Sequence, residues 1–314
     1  MSIPQSYKAF RRTADGSTVE MTEEKLPSSL GPTQVLLRIY AVSLNYRDVA
    51  MMNGKYPVQV IDRGIPASDC AAEVTAVGSG VKDFSPGDHV APIFDLNCIN
   101  GTEDATKVLG GDVDGVLRQY AIFDQNVLVQ LPKHLAWEEA ACIVCAGTTA
   151  WLALDMPRSS GTALLQEKAQ ALGDAGVVQG INYKTHPNWD EQARELTGGR
   201  GVDIVVDNIG PTAMKRNLSC LARRGFVSLV GFLGGFKTDE RPDVLGPVLL
   251  KSATVKGMNP GSKSDLQDLC KFLEEKAVRL GPLLDDTIFS FDCSKAAFDH
   301  LYGGKHIGKV VIRI

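Results

Sequence analysis

Three short apolar runs alternate with stretches of helical composition in the second half of this chain. They are Val202-Asp203-Ile204-Val205-Val206-Asp207, Gly225-Phe226-Val227-Ser228-Leu229-Val230-Gly231 and Thr254-Val255-Lys256-Gly257-Met258. No other feature constrains the fold as tightly. Each run is too short for a buried helix, and its near-continuous apolar character suits a strand covered on both faces. Helix candidates lie between and beyond the runs, from Thr212 to Leu221 and from about Ser264 to Leu280; Thr162 to Leu172 is helical by composition. Trp137-Glu138-Glu139-Ala140-Ala141 opens another, with acidic residues in the first turn where the helix dipole favours them. A last strand is expected over Lys309 to Ile314. Strands alternating with helices make a parallel sheet covered on both faces, an α/β architecture.

The first third reads differently. Val35 to Val42, Ala72 to Val77, His89 to Pro92 and Gly115 to Phe123 are strand candidates, with turn signals at Gly78-Ser79-Gly80 and Ser85-Pro86-Gly87-Asp88. Several short strands with turns between them suggest a small barrel-like β domain.

Composition excludes several functions. A chain of 314 residues with 44% hydrophobic and 22% charged residues is of ordinary globular type. The net charge of −4 gives no footprint for nucleic acid. No apolar run approaches the ~18 residues that span a bilayer, so no membrane partner is expected. Met1-Ser2-Ile3-Pro4 opens no signal segment, and Glu20, Glu23 and Glu24 argue against a transit peptide, which makes the cytoplasm the expected compartment. The seven cysteines are odd in number and widely spaced, unlike a disulfide scaffold. Cys142-x-x-Cys145 is the one close pair and lacks a thioredoxin-like setting.

Together these segments resemble the medium-chain dehydrogenase/reductase superfamily, on its zinc-free, quinone-oxidoreductase-like and alcohol-dehydrogenase-like side. The carriers are Asn45-Tyr46-Arg47-Asp48, Asn53-Gly54-Lys55-Tyr56-Pro57, Ser85-Pro86-Gly87-Asp88-His89-Val90, Cys145-Ala146-Gly147-Thr148-Thr149-Ala150-Trp151, Ile181-Asn182-Tyr183, Gly201-Val202-Asp203, Asp207-Asn208-Ile209-Gly210 and Gly308-Lys309-Val310-Val311. Each is weak alone; their order and spacing are specific. The resemblance implies a GroES-like catalytic β domain over residues 1–125, completed by 285–314. A Rossmann cofactor domain over 126–284 is implied between them, truncated near 152–162. It also implies an oxidoreductase, with a role in secondary metabolism expected from the breadth of the family, and by analogy a homodimer joined through sheet edges near Thr254 to Met258.

Zinc-dependent relatives hold the ion with Cys, His and Cys. The matching positions here look like Asn45, Ser68 and Cys145, and zinc takes thiolate, imidazole or carboxylate ligands. Asp69 adds one carboxylate, which is too few, so no metal is expected. A hydride arriving on a polarised carbon then leaves charge on the substrate oxygen that a protein hydroxyl must meet. By resemblance, Tyr56 in Gly-x-Tyr-Pro is the first candidate. Tyr46 is the second, with Asn45 as an amide to orient a carbonyl. Arg47 and Asp48 are expected to pair and hold the loop. A quinone, an enone or an aldehyde is the expected substrate.

The cofactor residues are also carried by the resemblance. Thr148 and Thr149 would face the nicotinamide ribose, and Ser159, Ser160 and Lys168 the adenosine 2′-phosphate. Tyr183 would lie against the adenine. Asn208 follows a buried strand at its carboxyl end, where ligands sit in such sheets. Gly231, Phe232 and Leu233 would flank the nicotinamide. No acidic residue ends a second strand, which leans toward NADP over NAD.

One piece is missing. Between Trp151 and Ile181 no strand leads into Gly-x-Gly-x-x-Gly, the turn that cradles a dinucleotide pyrophosphate. The shortfall is about 30 residues, roughly one βαβ unit. Losing two or three charge-assisted phosphate bonds costs about 4–6 kcal/mol, enough to take a micromolar site to millimolar. A lost central strand approaches the whole ~5–15 kcal/mol stability of a domain. A mis-joined gene product, a splice variant and a cofactor-impaired descendant all account for the gap. The rival to an enzyme is accordingly a non-enzymatic binding or scaffold protein.

Overall fold

The computed structural model describes residues 3–154, 180–235 and 242–314. The chain divides into two compact units, residues 1–148 with 260–314, and residues 149–259. The first unit is thus larger than the 1–125 and 285–314 expected, because residues 126–148 and 260–284 pack with it.

The first unit begins with β1 (Ser6–Arg12), β2 (Val19–Lys25), β3 (Gln34–Ser43), α1 (Tyr46–Met52), β4 (Asp69–Val77), β5 (His89–Pro92), β6 (Tyr120–Asp124), β7 (Leu128–Gln130) and α2 (Trp137–Ala140). A π-helical turn, Ile143–Gly147, follows. The second unit carries α3 (Thr148–Ala153), α4 (Trp189–Leu196), β8 (Val202–Asp207), α5 (Met214–Cys220), β9 (Leu221–Leu229), α6 (Leu245–Lys251) and β10 (Thr254–Gly257). The chain then returns to the first unit with α7 (Lys263–Lys276), β11 (Leu284–Ser290), α8 (Ser294–Tyr302) and β12 (Lys309–Arg313).

In the first unit β1 and β2 form an antiparallel hairpin. The main sheet runs β11-β12-β3-β4-β5-β7, with β6 also paired to β3. Strand β3 is buried on consecutive residues, Val35, Leu36 and Leu37, because sheet neighbours and the core close around both faces. Its C-terminal end bonds to β12, with Ser43 opposite Val311, so the last strand of the chain lies beside the start of α1. The strand expected from Gly115 starts only at Tyr120; Gly115, Val116 and Leu117 instead donate to the carbonyls of Ile65, Ala67 and Pro66.

Helix α7 buries Leu266, Leu269, Cys270 and Leu273, the spacing of one helical face. Ser262 caps it, its N–H donating to Asp265 Oδ2 at 2.8 Å while its Oγ accepts from Asp265 N at 3.3 Å. It stops at Lys276, short of the expected Leu280, where Ala277 turns left-handed at φ 49°.

The second unit holds a parallel sheet, β10-β9-β8, with Ile204 opposite Phe226 and Val255 opposite Val227. All three apolar runs are strands, as their composition predicts. Gly201 enters β8 at φ 91°, where a Cβ would stand 2.5 Å from Cys220 O, so only glycine fits. Lys251 Nζ donates to Leu218 O, Ser219 O and Leu221 O and thereby ends α5. Ile181-Asn182-Tyr183 is loop and turn. The helix expected at 162–172 lies outside the described residues. Among the described residues, no helix is long and apolar enough to cross a membrane.

Candidate active site and cofactor cavity

The first unit gathers polar groups where β3 ends and β4 and β12 begin. Asn45 caps α1 in extended conformation, and its N–H donates to Asp48 Oδ2 at 2.8 Å. The Asn45 side chain is turned onto the last strand. Lys309 Nζ donates to Asn45 Oδ1 at 2.6 Å and to Leu44 O at 2.8 Å. Asn45 Nδ2 is shut off from solvent. The amide expected to orient a substrate carbonyl thus has its oxygen held by the Lys309 ammonium.

Asp69 and Ser68 begin β4 and are fully buried. Asp69 Oδ1 accepts from Ser68 Oγ at 2.6 Å, and its Oδ2 from Cys145 N at 3.0 Å. Burial, with Asp69 nearby, pushes the Cys145 thiol far above its ordinary value. Burial likewise raises Cys142 to about 11. Of the positions weighed for zinc, Asn45 and Ser68 are not zinc-ligand types, and the Asp69 carboxylate already accepts two hydrogen bonds. Among the described residues, no group of three metal-ligating side chains is arranged to hold an ion.

Tyr46 and Tyr56 are the accessible hydroxyls here. Tyr46 opens α1 and is exposed; Tyr56 is half-buried. Arg47 Cζ lies 6.0 Å from the Tyr56 ring centroid and 4.8 Å from that of Phe94. Arg47 Nη1 donates to Leu109 O at 3.0 Å and stands 3.7 Å from Asp48 Oδ1, the loop-holding pair the sequence suggests. Asp48 is fully buried, and desolvation raises its carboxyl against the pull of Arg47.

The second unit holds a cavity of about 860 Å³ beside β8. Its lining includes Tyr183, Trp189, Asn208, Thr212, Arg216 and Leu233. Three expected cofactor residues, Tyr183, Asn208 and Leu233, therefore share one cavity. The loops after β8 and β9 are tied together: Gly231 N donates to Asp207 O at 3.1 Å, and Leu233 N to Asn208 O at 2.9 Å. Asp207 Oδ1 accepts from Ile209 N at 2.7 Å and Gly210 N at 3.1 Å, which fixes the first loop; burial raises this carboxyl. Gly231 allows the close approach, since a Cβ there would lie 3.1 Å from Asn208 O. Gly231 and Phe232 thus brace the rim while Leu233 reaches the cavity. The cavity runs along β8 to its carboxyl end and has room for part of a dinucleotide.

Thr148 is buried and its Oγ1 donates to Ile143 O at 3.0 Å, which closes the π-helical turn. Thr149 is half-buried on α3. Ser159, Ser160 and Lys168 lie outside the described residues. Sequence reasoning missed Arg216, which pairs with Asp190 at the cavity wall, and gave Lys309 no role beyond its strand motif. A lysine in an otherwise apolar terminal strand was the available signal.

Comparison with known proteins bears on the family. Residues 31–133 match the model of the alcohol dehydrogenase GroES-like domain, and residues 145–275 that of the zinc-binding dehydrogenase. A zinc-type alcohol dehydrogenase-like protein of Schizosaccharomyces pombe is 32% identical, over 93% of this chain and 94% of the relative. A 2-haloacrylate reductase of a Burkholderia species is 30% identical, over 92% and 93%. A solved alcohol-dehydrogenase-like chain from Sinorhizobium meliloti superposes with a TM-score of 0.86 at 29% identity, over 99% of this chain and 100% of that one.

Proposed function

The chain belongs to the medium-chain dehydrogenase/reductase superfamily of NAD(P)-dependent oxidoreductases, and on that premise we propose that it is a zinc-independent reductase that uses NADPH on a quinone, enone or aldehyde. The observation that carries this reading is the closed state of Asp69, held by Ser68 and Cys145 where a metal would need it. On this reading polarisation falls to hydroxyls. When bound, a nicotinamide supplies a hydride. Tyr183, Asn208 and Leu233 are the residues that would hold the dinucleotide, with Arg216 as an added cation at the wall.

Tyr56 gives its phenolic proton to the substrate atom on which negative charge gathers, and recovers one from water. Arg47, held by Leu109 O and packed on Phe94, steadies the Tyr56 ring. Asn45 acts through the fold, not on the substrate, and Lys309 locks it. Tyr46 is the second hydroxyl available to the substrate. The preference for NADPH over NADH rests on the absence of an acidic residue at the end of a second strand.

A second reading stands on two observations. Among the described residues, β8 pairs only with β9, so the parallel sheet ends where the sequence lacks its first βα unit. The alignment with the fission-yeast relative runs over 328 residues yet takes in 93% of this 314-residue chain, so the relative carries several tens of residues that face nothing here. Both fit a product that binds cofactor poorly, either mis-joined or mis-spliced, or retained as a non-enzymatic binding or scaffold protein.

NADPH titration of the full chain by fluorescence separates the two. Saturable binding, with kcat/KM lowered about 10²-fold in Tyr56→Phe at unchanged NADPH affinity, supports the reductase. No response at millimolar NADPH ends it for this chain.

A further inference from the structure

Three consecutive carbonyls of the first unit are each taken by a donor from far along the chain. Leu109 O accepts from Arg47 Nη1 at 3.0 Å, Gly110 O from Arg12 Nη2 at 2.6 Å, and Gly111 O from Ile61 N at 3.0 Å. Two of these donors govern Tyr56. Arg47 lies against its ring, and Ile61 anchors the loop that carries it. The other anchor of that loop is Lys55, whose N–H donates to Ala50 O at 2.8 Å. Between the two anchors, the backbone of residues 57–60 makes no hydrogen bond among the described residues. The place of the phenol is therefore set by the ends of its loop and by Arg47. Ile61 and Arg47 both lead back to the turn at 109–111.

Arg12 ends β1 and is 3% exposed. Its backbone N–H donates to Gly64 O at 3.1 Å, and Gly64 N donates to Ile61 O at 3.3 Å, so the same residue meets the loop as well as the turn. A guanidinium carries several N–H donors, yet the one side-chain hydrogen bond of Arg12 is that to Gly110 O; its Nε and Nη1 have no partner among the described residues. Burial lowers its basicity, with Arg47 adding to the fall and Asp48 and Asp114 opposing it. A cation buried on a single hydrogen bond works against the folded state, and an apolar side chain of like length would sit there at no loss. Stability does not account for Arg12. The turn it holds does.

We propose that Arg12 is a positioning residue for Tyr56: by holding Gly110 O it fixes the turn at 109–111, from which Arg47 and Ile61, and through them the phenol, take their places. The proposal rests on Tyr56 as the proton donor of the reaction. It adds a buried residue of β1 to those that decide where the phenol stands.

The full chain is labelled with 3-fluorotyrosine and followed by fluorine NMR without cofactor; of its seven tyrosine signals, the one lost in Tyr56→Phe is that of Tyr56. In Arg12→Met the Tyr56 signal is expected to move and broaden. The signals of Tyr40, stacked on Trp137, and of Tyr183 in the second unit stay, and the melting temperature holds or rises. Arg12→Lys, which keeps a donor for Gly110 O, restores most of the signal. In NADPH oxidation Arg12→Met lowers kcat about tenfold and leaves KM unchanged. Any of four results overturns the proposal: a Tyr56 signal unmoved in folded Arg12→Met, Tyr40 moving with Tyr56 as the melting temperature falls, a Lys variant as disturbed as the Met one, or loss of folding in both Arg12→Met and Arg12→Leu. The parent reading fails separately. NADPH oxidation that is absent, or indifferent to Tyr56→Phe, breaks the reductase and leaves the Arg12-dependent signal standing. Oxidation that needs Tyr56, with a signal indifferent to Arg12, breaks the positioning role alone.

Discussion

The two units differ in how completely their strands are accompanied. In the first, β3 has β12, β4 and β6 as neighbours, and one core runs from Tyr7 through Leu37 and Leu117 to Ile312. In the second, among the described residues, β8 is the last strand of its sheet. Its cavity touches Ile204, Val205, Val206 and Asp207 in succession. Side chains of a strand alternate between faces, so a cavity lined by four consecutive residues runs along the strand's edge, not over one face. An edge of Val, Ile and Val is the composition of an inner strand, not of a protected outer one. The comparison teaches that, among the described residues, the first unit surrounds its central strand with partners while β8 has one neighbour, β9.

The comparison breaks most decisively at the cofactor. Inserting a strand, a Gly-x-Gly-x-x-Gly turn and a helix between Leu154 and Pro157 is expected to tighten NADPH by about 4–6 kcal/mol, or 10³–10⁴-fold, read by fluorescence titration. Micromolar binding by the chain without the insert would show that β8 needs no neighbour.

A smaller effect is expected in local stability. Native-state hydrogen exchange should find β3, β4 and β12 opening only with global unfolding, while amides of β8 and β9 exchange through openings about 2–4 kcal/mol cheaper. Equal protection in both sheets would erase the distinction.

How much of this was legible in the sequence follows the same division. Val202–Asp207 and His89–Pro92 were readable to the residue, because apolar runs bounded by glycine or turn residues have one physical outcome. β1 and β2 were not, since Val19–Lys25 is rich in glutamate and becomes a strand only through its partner. The family of the chain was visible in the order of its motifs. The contacts of individual side chains were not: Lys309, 264 positions away, holds the amide oxygen of Asn45. The Thr148 hydroxyl meets the carbonyl five residues back in a π-helical turn that composition does not announce. Long-range pairing and irregular helix geometry decide where a polar group points, and neither leaves a periodic trace.

Glu139 sharpens the comparison inside the first unit. Its buried carboxylate accepts from Arg279 Nη2 at 2.7 Å and from the backbone N–H groups of Ala136, Leu280 and Gly281 at 2.8–2.9 Å. Burial works to raise this carboxyl, but Arg279 and the three amides outweigh it and hold it below the ordinary range. A depressed carboxyl contributes stability that is present above its unfolded value, near ~4.3, and is lost as pH falls through the folded one. Glu139→Gln is expected to cost about 2–3 kcal/mol at neutral pH, measured by denaturant unfolding, and to flatten the acid limb of the stability curve. An unchanged acid limb would remove Glu139 as a source of the first unit's stability.

The smallest effect on folding is expected at α6, where Leu245, Leu249 and Leu250 are 83%, 80% and 76% exposed. Three leucines at i, i+4 and i+5 on one short helix form an apolar patch of the kind that marks an interface. Strand β10 beside it ends the sheet on its other side and is itself largely exposed, so the second unit is open at both margins among the described residues. A two-fold contact would pair β10 with its copy in antiparallel fashion and cover the leucines of each protomer with the other. Replacing Leu245 and Leu249 with lysine removes the apolar contact without touching the core. The expected outcome is a shift from dimer to monomer in sedimentation at micromolar concentration, with protomer stability within about 0.5 kcal/mol of the unaltered chain. A monomer before any substitution would leave the β10 margin as open as that of β8, and the second unit would then differ from the first at both ends of its sheet.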